Sequence, residues 1–231
     1  MGGPGIAIDA REAASALRWW LDAGVDVATQ EEPRNWLERT PEIRPLDPLP
    51  KPEPPPSTLE AFRQWLAGPD APLASARSKP VLPDGAEGAE VMLLCEPPTR
   101  DELAAGQPIG GEAAILMERM LKAIDLDDKA YAANLACFYA PGSRLSDKEL
   151  ELCASAARRH VALARPKRLL LLGDAPCRAL LGKPLLQARG HVHKVEGIRT
   201  VATFHPRQLL KRPSDKSLAW KDLLLLIEEV A

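Results

Sequence analysis

The sequence is short of long hydrophobic runs, of aromatic residues and of net charge. No apolar stretch in its 231 residues approaches the roughly 18 that a membrane-crossing helix needs. Its amino terminus also lacks the cationic-then-apolar order of a secretory signal. Both absences point to a cytoplasmic protein with no membrane partner. The four cysteines, at positions 95, 137, 153 and 177, are too few and too scattered for a disulfide framework, and a reduced compartment is expected. Aromatics amount to five Trp, two Tyr and three Phe, which leaves few rings for stacking on a flat ligand. The formal net charge of −2, taken whole, argues against a binder of polyanions. With 45% hydrophobic and 27% charged residues the chain is globular, and its length allows one medium domain with an appendage or at most two small domains.

The neutral total hides a polarised chain. Residues 1–130 carry 13 basic and 23 acidic side chains, whereas residues 131–231 carry 17 and 9. Between Arg158 and Lys216 the imbalance reaches 14 to 3, enough for a basic face, although solvated helix faces would give the same count. Proline is abundant and local. Eight of the 23 prolines fall between Pro41 and Pro56, where a helix is barred and donors for a sheet are missing. That stretch is expected to run as extended, polyproline-like chain. Three segments follow: an N-terminal helical arm over 1–40, a Pro-rich linker over 41–57 and a main domain over 58–231. In the arm, Ala13, Leu17, Trp20 and Leu21 repeat at helical spacing across residues 10–22, with Gly24 as the stop. Trp19, Trp20 and Trp36 are expected to dock the arm.

In the main domain, short apolar runs alternate with amphipathic ones. Glu90–Cys95, Tyr131–Ala136, Arg168–Leu172 and Ile198–Phe204 read as four buried strands. Ser57 or Thr58 caps a helix carrying Leu59, Phe62 and Leu66. Further helices are predicted over Ala113–Ile124, Lys148–Ala164, Ala175–Leu181 and Leu218–Val230. This alternation predicts an α/β fold, a three-layer α/β/α sandwich around a central, mostly parallel four-stranded sheet. In open parallel sheets, ligands bind beyond the carboxyl ends of the strands. Those ends read Cys95-Glu96-Pro97-Pro98, Asn134 through Arg144, Gly173-Asp174 and His205-Pro206. Each residue alone has a structural reading, as helix cap, surface charge or hydrogen-bonded histidine. A carboxylate, an amide and an imidazole leaving different strands at one edge point instead to chemistry.

The order and spacing of these residues resemble the uracil-DNA glycosylase superfamily, closest to its family 4 branch. The G-E-x-P-G of that family stands here as Cys95-Glu96-Pro97-Pro98-Thr99. Its G-x-P-F-V-G-x-A-G stands as Gly106 through Ala114, with Pro108, Ile109 and Gly110 inside. N-x-x-x-C-R-P-P-x-N-R corresponds to Asn134 through Arg144, and the P-K-x-(apolar)-L-G segment to Pro166 through Gly173. The R-G pair corresponds to Arg189-Gly190. H-P-x-x-L-L-(R/K)-x-P-x-x-K is matched by His205, Pro206, Leu209, Leu210, Lys211, Pro213 and Lys216, and Trp220, Asp222 and Leu223 close the pattern.

The resemblance implies a base-excision repair enzyme, a monomer, that hydrolyses the N-glycosidic bond of uracil or a related deaminated base in DNA. Such a base must be flipped out or lie in a single strand. By position, Glu96 corresponds to the acid that places the water and steadies the cationic sugar. Asn134 corresponds to the amide that pairs with the uracil edge, and His205 to the imidazole that donates to O2 as it gains charge. Pro98, Ile109, Gly110 and Asn134 would surround the base, and Arg144, Arg189, Arg207, Lys211, Arg212 and Lys216 would meet the DNA. Among the departures from the pattern, Cys95 and Thr99 replace glycines, Ile109 replaces the phenylalanine that stacks on the base, and Ser143 replaces asparagine. The 4Fe–4S cluster of the family takes four cysteines and is expected to be absent here. Residues 1–94 hold no cysteine, position 138 is Phe138, and Cys153 alone falls at a ligand position. Phe138 is expected to fill the vacated volume. The departures leave open a diverged member that binds DNA without hydrolysing it. They also leave open a glycosylase-like platform that docks partners through its Pro-rich arm.

Overall fold

The computed structural model describes residues 10–24, 56–76, 78–139 and 145–228. The chain divides into two compact units, Met1–Lys51 and Pro52–Ala231. In the first, α1 (Ala10–Asp22) forms where the spacing predicts it, with Leu17, Trp19, Trp20 and Leu21 exposed. Trp36 and the expected linker as far as residue 55 lie outside the described residues.

The second unit begins with α2 (Leu59–Leu66), capped by the Thr58 hydroxyl, which accepts from the Ala61 amide. There follow β1 (Val91–Cys95), α3 (Arg100–Ala105), α4 (Gly111–Lys122), β2 (Ala130–Asn134), α5 (Asp147–Ala164) and β3 (Arg168–Leu172). Then come α6 (Asp174–Leu181), α7 (Leu185–Ala188), β4 (Val192–Val195), β5 (Ile198–Thr203), α8 (Pro206–Lys211) and α9 (Lys216–Ile227). The sheet order is β2-β1-β3-β5-β4. Four strands run parallel, as expected, and β4 pairs antiparallel with β5 at the edge. The sheet therefore has five strands, one more than the sequence pattern predicts. Glu196 and Gly197, both at positive φ, turn β4 back onto β5 as a two-residue hairpin.

β1, and β3 after Arg168, are apolar because both of their faces are covered. Met92, Leu94, Leu169 and Leu171 pack in one layer with Cys153, Ala157 and Val161 of α5. Val91, Leu93, Cys95, Leu170 and Leu172 pack in the other with Met117 and Leu121 of α4 and Leu223 and Leu226 of α9. Successive strand residues point to opposite faces, so the sheet becomes the middle of three layers. A third apolar cluster joins Phe62 and Leu66 of α2 to Ala71, Cys137 and Phe138. No helix among the described residues is long and apolar enough to cross a membrane.

Strand register positions the site. Cys95 lies beside both Asn134 and Leu172, and Leu172 beside Thr203. Four parallel strands thus finish in one row, and the residues that follow them gather along one edge.

Candidate active site

A crevice of about 1600 Å³ opens beyond that edge, lined by Glu96, Pro98, Tyr139, Asp174, His205 and Arg207 among others. Glu96 leaves β1 and is held at both oxygens. Oε1 accepts from the Asp174 amide at 3.2 Å, at the start of α6, and Oε2 accepts from Arg207 Nη2 at 3.2 Å. Gly173 makes room for it. A Cβ there would lie 2.6 Å from the Glu96 carboxyl carbon, and its φ of +103° is one that L side chains rarely adopt.

Asn134 ends β2 and is only 5% exposed. Its Nδ2 donates to the Glu96 carbonyl at 2.8 Å and the Pro108 carbonyl at 3.1 Å. Those two acceptors use both amide protons, so the expectation that donor and acceptor both meet a ligand narrows to the acceptor. Oδ1 is buried and has no partner among the described residues.

His205 caps α8 just beyond β5 and is 3% exposed. Its Nδ1 accepts from the Arg207 amide at 3.2 Å. Burial, with the Arg207 charge beside it, pushes the imidazole down to about 3. The ring is therefore neutral, and with Nδ1 accepting, its proton sits on Nε2 as a donor.

The other expected residues fall in different places. Pro98 and Gly110 line the crevice, whereas Ile109 does not: it is buried in the core with Val91, Leu93 and Met117. Lys211 and Arg212 line the crevice as exposed cations. Arg207, expected as a phosphate contact, faces inward to Glu96 and Glu102. Arg189 pairs with buried Asp222 and lies 4.9 Å over the Phe204 ring, so it braces the fold. Lys216 borders a smaller apolar groove beside Trp220, and Arg144 lies outside the described residues. Sequence reasoning passed over Glu102 and Arg178 and gave no role to Gly173, Asp174 or Tyr139 within the strand-end segments; Gly173 abuts Glu96, Glu102 holds Arg207, and the crevice is lined by Asp174, Arg178 and Tyr139. The last is the one Phe, Tyr or Trp among the described residues lining the crevice.

The donor set does not fit an iron–sulfur cluster. All four cysteines are buried and free, and none of them lies in a group of ligands, among the described residues, that could share a cluster. Among the described residues no group of three or more His, Cys, Asp or Glu is placed to hold a metal ion. Phe138 instead packs in the apolar cluster with Cys137, Phe62 and Leu66.

In sequence the chain is similar to several proteins of one kind. The chain is 28% identical over 141 residues to a type-4 uracil-DNA glycosylase of Archaeoglobus fulgidus, covering 56% of this chain and 71% of that protein. It is 24% identical over 166 residues to a type-4 uracil-DNA glycosylase of Pyrobaculum aerophilum, covering 67% and 85%. To that of Sulfurisphaera tokodaii it is 25% identical over 159 residues, covering 63% and 72%. The family model of the uracil DNA glycosylase superfamily matches residues 82–224, which run from just before β1 into α9 and include Glu96, Asn134 and His205. The chain belongs to the uracil-DNA glycosylase superfamily.

Proposed function

We propose that the protein is a DNA-repair glycosylase that hydrolyses the N-glycosidic bond of uracil, or of a related deaminated base, and leaves an abasic site. The observation that carries this reading is the buried, unpartnered Oδ1 of Asn134, bonded through its own amide to the Glu96 backbone. An orphaned buried acceptor costs about 1–3 kcal/mol, a penalty that a donor on a ligand relieves. Uracil offers a donor at N3, where cytosine has only an acceptor, so Oδ1 would take the deaminated base and reject the normal one. His205 Nε2–H is suited to donate to O2 of the base. As the bond to C1′ breaks, its electron pair leaves with the base and charge grows on that oxygen. Glu96 orients the water whose oxygen bonds C1′; the proton which that water gives up ends, by way of solvent, on the departing base anion, and the Glu96 carboxylate faces the cationic sugar. Tyr139 offers a ring face to the flipped base, a role for which Ile109 is misplaced. Lys211 and Arg212, with Arg144, would meet the phosphates. On this reading the enzyme works as a cofactor-free cytoplasmic monomer.

The test is strand scission by alkali after incubation with a uracil-containing oligonucleotide, single-stranded and duplex. Wild type is expected to cut, and Asn134→Ala and His205→Ala to cut about 100-fold more slowly or worse. Scission no greater than in those two variants sinks the proposal. One observation favours a second reading, a relative that binds DNA without hydrolysing it: both Glu96 oxygens already have partners. Salt-sensitive binding to single strands with no turnover on uracil, hypoxanthine or xanthine would establish that alternative.

A further inference from the structure

We propose that Glu102 and Arg207 are positioning residues which, with Thr99, clamp Glu96 in the orientation that uracil excision requires; the proposal rests on the glycosylase reading above. Glu102 is a carboxylate only 1% exposed, in the first turn of α3. Its Oε2 accepts from the Thr99 amide at 2.8 Å, from the Thr99 hydroxyl, and from Arg207 Nη1 at 2.7 Å. The same Nη1 lies 3.0 Å from Thr99 Oγ1, and Nη2 reaches Glu96 Oε2 at 3.2 Å.

A guanidinium is a rigid planar fork. Once Nη1 is seated on Glu102 and Thr99, the direction of Nη2 is fixed, and Glu96 Oε2 lies along it. The Asp174 amide holds the other Glu96 oxygen. Four elements that meet only in the folded chain, the β1 end, α3, α6 and α8, thereby lock one side chain. Arg207 is poorly free to leave for a phosphate, because Glu102 would then be a buried charge held by Thr99 alone, with no cation to balance it. Two carboxylates share one guanidinium, so within this set the charge is not fully cancelled, and Glu96 presents its carboxylate to the crevice where a cationic sugar would form. Thr99 also acquires a reason: its hydroxyl accepts from Arg207 and donates to Glu102, which a glycine could not do.

The experiment measures kcat and KM for excision of uracil from a single-stranded oligonucleotide, and their salt dependence, in Arg207→Gln, Arg207→Lys, Glu102→Gln and the double variant Glu102→Gln/Arg207→Gln. Glu102→Gln keeps an acceptor for the Thr99 amide, and the double variant removes the buried carboxylate together with its half-buried cation, so thermal melting is expected to show that these fold. Arg207→Gln and the double variant should lose about tenfold or more in kcat with KM within about twofold. Glu102→Gln should lose less. Arg207→Lys should recover part of the loss, since an ammonium keeps the charge but cannot bridge three oxygens. A raised KM with unchanged kcat and a shallower salt slope would make Arg207 a phosphate contact and overturn the proposal. So would a kcat that rises when Arg207 is removed. A wild type that excises uracil beside variants of equal kcat overturns the clamp alone; an inactive wild type overturns the glycosylase reading with it.

Discussion

At Gly173 one added carbon would reach the carboxylate on which the site depends. The position combines a φ of +103° with a Cβ path that ends 2.6 Å from the Glu96 carboxyl carbon. Gly173→Ala is therefore expected to lower stability by about 1–3 kcal/mol through backbone strain alone. It should also push Glu96 off the Asp174 amide and Arg207, with about a tenfold or greater loss of excision rate. Urea unfolding and the scission assay read the two effects separately. An alanine variant that is destabilised but cuts at the wild-type rate would show that Glu96 keeps its place without this contact. The same scale explains two departures from the family pattern. Thr99 opens α3 and bonds Glu102 and Arg207, while Ile109 packs beneath α4 in the core. Neither side chain is a simple obstruction to a ligand.

Among the elements, α2 and the segment after β2 meet in the apolar cluster of Phe62, Leu66, Ala71, Cys137 and Phe138. If Phe138 is packing in the volume that a cluster would otherwise need, Phe138→Ala should cost about 3–5 kcal/mol in urea unfolding. Incubation of the wild type with iron, sulfide and reductant should produce no iron–sulfur absorption; a brown, stoichiometrically loaded protein would contradict the cysteine geometry. The strands of this sheet were readable in proportion to their burial. β1, and β3 after Arg168, are covered on both faces, so their runs are continuous and apolar, and the pattern alone sets the residues that follow them at one edge. β4 is four residues long with exposed Val192 and Lys194, and its turn is Glu-Gly instead of the Asn-Gly or Asp-Gly that announces a hairpin. α3, α7 and α8 span six, four and six residues, less than two turns, so no period can show. Glu96, Asn134 and His205 could be nominated together because each ends or follows a parallel strand at the same edge of the sheet. The Glu102–Arg207 contact was not, because it joins residues 105 apart in sequence through side-chain geometry, and an exposed-looking arginine in a basic stretch suggests phosphate instead.

The whole molecule carries two histidines that folding keeps neutral, and this ties its stability to pH. His205 is pushed down to about 3 by burial and the Arg207 charge, and His160 to about 3 by burial and Arg63. His160 Nε2 lies 2.7 Å from the Tyr131 hydroxyl, which itself accepts from Arg63 Nε, so the ring is set as a neutral partner in a buried network. Both groups titrate lower in the folded chain than the ordinary 6.5 that the unfolded chain regains. Between about pH 3 and 6.5 the unfolded chain therefore binds up to two more protons, and stability falls as pH falls through that window. Each histidine contributes about 1.4 kcal/mol per pH unit once the pH is below 6.5, so about 3 kcal/mol should be lost between pH 7.5 and pH 5.5. Asp222, raised by burial, works in the opposite direction, so a substitution is needed to isolate the histidine share. His160→Gln retains an acceptor for Tyr131 but cannot titrate, and it should remove about half of the difference. Urea unfolding of both proteins at the two pH values measures it. Equal stabilities at pH 7.5 and 5.5 in the wild type would mean that the fold accepts imidazolium at both sites, and with it a His205 that enters the reaction charged.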